Sequence, residues 1–200
     1  MKIVLITPYA GRSCNGNRNT AYRWAGFLRQ LGHGVRIQVN WDGTSADLML
    51  ALHARRSHDS ILRFAEVHPG RPLILALTGT DLYRDIRQDA AAQLSMALAT
   101  RMIVLQERGL QELAPELRTK TRVIHQSATP VKVTAKHRTR FQACIIGNLR
   151  EEKDPFRCAY ALPHIPIQSR IRVIQLGSAL TSEMADEAHA LMRQDKRYCW

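Results

Sequence analysis

Long apolar runs are the first thing missing from these 200 residues. No stretch approaches the ~20 consecutive apolar residues that a bilayer-spanning helix needs. Residues 1–10 carry one lysine and a short apolar run with no small-residue cleavage site after it, so they read as a first buried strand and not as a signal peptide. Cysteine spacing is missing too. Cys14, Cys144, Cys158 and Cys199 lie far apart without a CxxC pair, which argues against a disulfide framework or structural zinc and for reduced thiols in a cytoplasmic protein. No carboxylate cluster has metal-binding spacing, and no repeat of solenoid length occurs. Acid is also scarce, with 17 Asp and Glu against 29 Lys and Arg, a net charge of +12. Such an excess implies an anionic partner. The basic residues form no run of five, and no helix-turn-helix, RNA-binding or zinc-finger signature accompanies them. An anionic small molecule is therefore favoured over nucleic acid.

What is present is a globular chain, 45% hydrophobic, in which strands and helices alternate. Residues 2–7 have a continuous, largely β-branched apolar centre, as in a strand buried on both faces. A Gly-, Asn- and Ser-rich turn over 8–19 precedes a helix that starts at Thr20, with Tyr22, Trp24, Ala25, Phe27, Leu28 and Leu31 as its apolar residues. Further strands are expected over 35–39, 48–52, 72–77, 101–105 and 121–125. Helices are expected over 60–67, 88–99 and 107–113. This rhythm is that of βαβ units on a parallel sheet, hence an α/β fold. Residues 127–142, with Pro130, Lys132, Lys136, Arg138 and Arg140, read as a linker between an N-terminal domain over 1–126 and a second one from 143.

The stretch 143–155 restarts the rhythm. Cys144 to Ile146 form a short apolar strand that stops at Gly147, and Lys153, Asp154 and Pro155 mark a helix start. A turn of this kind places backbone N–H groups at a helix N-terminus, where anions are favoured. Arg150 and Lys153 add a planar fork and a point charge beside it. A solvated turn with ordinary surface charges is the plainer alternative. A strand over 171–176, a helix over 183–193 and a strand start at 197–200 follow. Roughly sixty residues after the linker are fewer than the order of a hundred that an independent α/β domain needs. The expectation is one complete domain and the truncated start of a second.

Taken in order, these features resemble GT-B glycosyltransferases, in which two Rossmann-like domains hold ligands between them. The opening strand, Gly32-His33-Gly34-Val35, Thr78-Gly79-Thr80-Asp81 and the run from Gly147 to Pro155 look like the nucleotide-sugar transferases of family 4. In that family the last motif supplies an Arg and a Lys to the donor diphosphate, by position Arg150 and Lys153, beside Gly147. A narrower resemblance is to the selenosugar synthases of selenoneine biosynthesis (SenB-type). It rests on residues 15–24 (Asn-Gly-Asn-Arg-Asn-Thr-Ala-Tyr-Arg-Trp), 52–58 (Leu-His-Ala-Arg-Arg-Ser-His), 77–83 (Leu-Thr-Gly-Thr-Asp-Leu-Tyr) and 125–128 (His-Gln-Ser-Ala). That resemblance implies transfer of a sugar from a UDP-sugar, typically UDP-N-acetylglucosamine, to selenophosphate with formation of a carbon–selenium bond. It also implies no cofactor and no metal, the UDP-sugar being a substrate.

The chemistry then asks for cations and neutral donors at the strand ends of the first domain. Selenophosphate is already anionic and selenium is intrinsically nucleophilic, so electrostatic positioning matters more than deprotonation. Arg18, Asn17, His53, Arg55, His58 and Thr80 are the expected acceptor-anion residues, and His53 and Asp81 the expected catalytic pair. Each has a plainer alternative: His53 as a satisfied core histidine, Arg55 and Arg56 as solvated helix-start charges, Asp81 as a helix N-cap. Tyr9 is a further donor in the same place, and Cys14, with no base paired to it, a bystander. Two other readings stay open, a family 4 transferase with a sugar or lipid acceptor and a basic module that binds nucleic acid or a phosphorylated partner without catalysis.

Overall fold

A computed structural model of the chain describes residues 1–9, 16–130 and 139–200, without the side chain of Glu152. The chain divides into two compact units, Met1–Thr129 and Pro130–Trp200. In the first, β1 (Lys2–Ile6), β2 (Gly34–Gln38), β3 (Leu48–Leu52), β4 (Leu73–Ala76), β5 (Arg101–Val104) and β6 (Thr121–Val123) form one sheet in the order β2-β1-β3-β4-β5-β6. Every pairing is parallel. Parallel neighbours need crossovers, and α1 (Gly16–Gln30), α2 (His58–Val67), α3 (Ile86–Gln88), α4 (Ala90–Leu98), α5 (Arg108–Gln111) and α6 (Pro115–Arg118) lie along them. The chain steps from β1 out to β2 and then back past β1 to β3, so the winding reverses between β1 and β3. In open α/β sheets the crevice beyond the carboxyl ends of the strands at such a reversal is where ligands sit.

The period of two along each strand sorts its residues between the two faces. Ile3, Leu5, Leu50 and Leu52 pack with Ala21 and Ala25 of α1 in one layer. Val4, Ile6, Met49, Ala51, Leu73 and Leu75 pack on the other face with Ile61, Phe64 and Met96 of α2 and α4. Helix α1 turns its small residues to the sheet, and Tyr22, Phe27 and Leu31 are exposed. The irregular connection between β2 and β3 contributes Trp41, buried edge-on against Phe64. Lys120 donates to the carbonyls of Met96, Ala97 and Ala99 at 2.8, 3.2 and 2.8 Å, so a cation sits on the C-terminus of α4 as the helix dipole favours.

The second unit is a parallel sheet of β7 (Phe141–Ile146), β8 (Ile171–Leu176) and β9 (Tyr198–Cys199) with α7 (Arg157–Ala161) and α8 (Ser182–Gln194). Leu149, Phe156, Ala159, Leu162, Val173, Ala188, Leu191 and Tyr198 form its core. One sheet face packs on the helices; on the other, Gln142, Cys144 and Ile146 of β7 are exposed, Ile146 at 82%.

Several boundaries differ from the sequence reading. Helix α1 starts at Gly16 and not at Thr20, so Asn17 and Arg18 stand on its first turn; Thr20 is buried and accepts a bond from Gln126 Nε2 at 3.0 Å instead of capping. The run 82–87, to which the sequence reading gives no element, lies in a π-helical turn (Asp81–Asp85) leading into α3, and α6 falls where no helix is expected. After Gly147 the expected order of strand, turn and helix holds, with a later helix start: a single 3₁₀ turn, Glu151–Lys153, comes first, Asp154 sits at φ 44°, and α7 begins at Arg157. Cys14, half of the linker (131–138) and Asn15 of the motif at 15–24 lie outside the described residues.

Candidate functional site

The carboxyl ends of β1, β3 and β4 carry the residues that the sequence singles out in the first unit. His53 follows β3 directly and adopts φ 76°, a left-handed conformation that costs a bulky L-residue about 1–2 kcal/mol. It is 3% exposed. The Arg56 amide donates to its Nδ1 at 3.4 Å, and its Nε2 lies 3.1 Å from Thr80 Oγ1. An Nδ1 that accepts leaves the proton on Nε2 in the neutral ring, which then donates to the hydroxyl. Thr80 Oγ1 is thereby an acceptor toward His53 and keeps its own O–H to give elsewhere. His53 thus positions Thr80; it is not itself open to solvent.

Asp81 is wholly buried. Its Oδ1 accepts from the Thr78 and Gly79 amides at 3.0 and 2.9 Å, and its Oδ2 from the Ala54 amide at 3.0 Å. All three partners are main-chain donors of the loops after β3 and β4, so the carboxylate ties those loops together. Against the catalytic role expected of Asp81 stands its burial, with both oxygens bonded to main-chain amides. Two further corrections concern the anion residues. Arg55 Nε bonds Asp85 Oδ2 at 3.0 Å, which pairs the cation with a nearly buried carboxylate on the π-helical turn. His58 Nδ1 lies 3.0 Å from Ser95 Oγ, whose own hydroxyl donates to the Ala91 carbonyl. The imidazole therefore donates to Ser95 and pins α2 to α4.

Arg56, the residue after Arg55, leaves the same turn in another direction. Its guanidinium carbon lies 5.2 Å from the ring centre of Tyr9, beyond the end of β1, so this exposed cation bridges the loops on either side of the winding reversal. Composition could not distinguish the two adjacent arginines; only the direction in which each leaves the β3–α2 turn does so. Arg18 stacks over Tyr22 one turn along α1, 4.6 Å from its centroid, and Asn17 lies beside it on the same turn.

In the second unit the loops after β7 and β8 run side by side. The Gly147 amide donates to the Leu176 carbonyl at 2.8 Å and the Leu149 amide to the Ser178 carbonyl at 2.9 Å. Those two amides, of Gly147 and Leu149, are spent on the neighbouring loop and are not offered to an anion. Gly177 is required here by close approach, because a Cβ on it would stand 2.0 Å from the Gly147 carbonyl oxygen. Leu149, fully buried, anchors the loop and sets Arg150, half-buried, and Lys153, exposed, at its outer end. Neither cation pairs with a carboxylate among the described residues.

Among the described residues, no group of three His, Cys, Asp or Glu could hold a metal ion, and no helix is long and apolar enough to cross a membrane.

No family model and no curated protein matches the chain. Among solved structures it is similar to HepE of Anabaena. The complex of that protein with UDP and glucose superposes with a TM-score of 0.64 at 14% identity, covering 99% of this chain and 68% of that one. Its complex with UDP-glucose gives 0.60 at 14% identity, over 100% and 68%. The α/β fold, of the GT-B class, is that expected from the sequence.

Proposed function

We propose that this chain is a glycosyltransferase that takes a sugar from a UDP-sugar and delivers it to selenophosphate. The carrying observation is the likeness over nearly the whole chain to a protein that binds UDP and UDP-glucose, together with two cations, Arg150 and Lys153, at the strand ends of the second unit that pair with no carboxylate among the described residues. In this reading the pair neutralises the donor diphosphate without metal, the electrostatic role that usually contributes most to such reactions. Selenium attacks the anomeric carbon, the carbon–oxygen bond to the diphosphate breaks, and UDP leaves with the electron pair. Water then cleaves the phosphorus–selenium bond, giving phosphate and the selenosugar.

The acceptor side is narrower than the sequence suggests. With Arg55 on Asp85 and His58 on Ser95, the anion falls to Arg56 and Arg18, with the Thr80 hydroxyl, held by His53, as a neutral donor. A sugar acceptor would not need such cations, whereas a dianion beside a UDP-sugar does. Two like charges about 5 Å apart at an effective dielectric of about 20 repel by roughly 3 kcal/mol.

Turnover assays decide between the readings. UDP release is followed with UDP-N-acetylglucosamine and UDP-glucose as donors, each with selenophosphate or with a panel of free sugars. The expected result is release that depends on selenophosphate. Release with a sugar acceptor alone would replace the selenium reading by a family 4 sugar transferase. UDP-glucose belongs in the test because HepE was solved with it.

A further inference from the structure

The opposite end of the second sheet carries a separate basic groove. There β7 and β8 begin, and their register sets Phe141 against Ile171, with the Phe141 amide on the Arg170 carbonyl at 3.0 Å. Arg140 and Arg170, the residues just before each strand, are therefore neighbours. One step on, Val173 pairs with Tyr198, which brings Arg172 beside Arg197. A groove of about 630 Å³ is lined by Arg140, Arg170, Arg172 and Lys196 with the hydroxyls of Thr139 and Ser169, and no carboxylate lines it. Arg197 also reaches it, but Asp195 neutralises this side chain at 2.7 Å. The other four cations have no ion-pair partner among the described residues. Arg172 Nε is moreover buried without a hydrogen-bond partner among the described residues. A buried donor of this kind is costly unless an acceptor reaches it.

We propose that this groove binds a compact ligand bearing two or more phosphate groups. Four cations that the described residues leave uncompensated call for several negative charges, and paired arginines match phosphate oxygens through their forks. The lining contains no aromatic side chain, so it offers no platform on which nucleobases could stack, and its confinement to three strand starts suits a small anion. The strands that separate it from Arg150 and Lys153 are six residues long, about 20 Å at 3.3 Å per residue. The two sites therefore cannot share one ligand of this size.

Titration calorimetry with inorganic tripolyphosphate at physiological ionic strength tests this. The background is the Arg150→Ala/Lys153→Ala chain, which removes the proposed donor cations. One equivalent is expected to bind, and adding Arg140→Ala and Arg170→Ala should weaken it at least tenfold. Both arginines are exposed, so the melting temperature should stay unchanged, and Arg140→Lys/Arg170→Lys should restore part of the affinity. Binding that the groove substitutions do not alter would overturn the proposal, as would heat that sodium chloride of equal ionic strength abolishes. Loss of binding on Arg150→Ala/Lys153→Ala alone would place the anion at the donor end and also overturn it.

Discussion

The carboxylate of Asp81, on the loop after β4, accepts the amide of Ala54, on the loop after β3, at 3.0 Å. The same side chain gathers the amides of Thr78 and Gly79, so one buried anion sets the spacing of two loops at the mouth of the crevice. In Asp81→Asn the remaining carbonyl can still serve Thr78 and Gly79, but the new NH₂ faces the Ala54 N–H, donor against donor. A loss of about 2 kcal/mol is expected from the orphaned amide, and more for Asp81→Ala, which orphans all three. Denaturant midpoints measure it; equal midpoints for wild type and Ala would remove the clamp from this account.

Gly177→Ala tests the paired loops of the second unit. Its φ of +149° and the 2.0 Å approach to the Gly147 oxygen leave no room for a methyl group. The clash is with backbone, so the loop must move, at a cost of about 2–4 kcal/mol. If the loop carries the donor cations, UDP affinity measured by calorimetry should fall with it, whereas Gly26→Ala, which meets nothing within 4 Å, should leave UDP affinity intact.

Tyr198 gives a pH signature. Burial pushes its phenol up to about 12, and its hydroxyl has no partner among the described residues. The folded state therefore holds this proton more tightly than the unfolded chain, whose phenol titrates near 10. Its contribution is fully present below pH 10 and is lost as pH rises toward 12. Tyr198→Phe should remove that alkaline loss and, by deleting an unsatisfied buried hydroxyl, raise stability at neutral pH by about 1 kcal/mol. Thermal melts between pH 8 and 11.5 would show it; a variant as alkali-sensitive as the wild type would contradict it.

The parts of this molecule that follow from local rules were readable in its sequence. The buried strands announce themselves as continuous apolar runs, and the alternation with helices implies the parallel sheet. The π-helical turn at 81–85 was not readable, because its dominant bonds are those of one aspartate to amides on two loops, a tertiary matter. Nor could spacing show that the chain after Gly147 pairs with the loop at 178–180, which takes up the Leu149 amide. The fates of Arg55 and Arg56 were hidden for a third reason. Two identical side chains in succession differ only in where the backbone aims them.

That difference can be measured. Arg150→Ala and Lys153→Ala should each raise the transfer barrier by about 2–4 kcal/mol, the scale for losing one preorganised charge donor. Arg56→Ala should raise KM for selenophosphate while leaving that for the UDP-sugar nearly unchanged. Arg55→Ala should do neither, and instead lower stability by about 1 kcal/mol or less, since its partner pair is half exposed on the arginine side. Steady-state kinetics beside melting curves separate the three; an acceptor effect from Arg55 and none from Arg56 would reverse the assignment.

The left-handed backbone at His53 makes every substitution there a double experiment. Removing the ring abolishes its two hydrogen bonds, but whether the main chain relaxes depends on what replaces it. Alanine keeps the unfavourable torsion, whereas glycine releases it, so the two truncations should differ by about 1 kcal/mol in favour of glycine. That gap is the local strain, read without the ring. What then separates glycine from the native chain is the worth of the ring alone. For folding by itself this position suits the smallest residue, and the chain instead puts an imidazole there, aimed at the Thr80 hydroxyl, whose proton it leaves free.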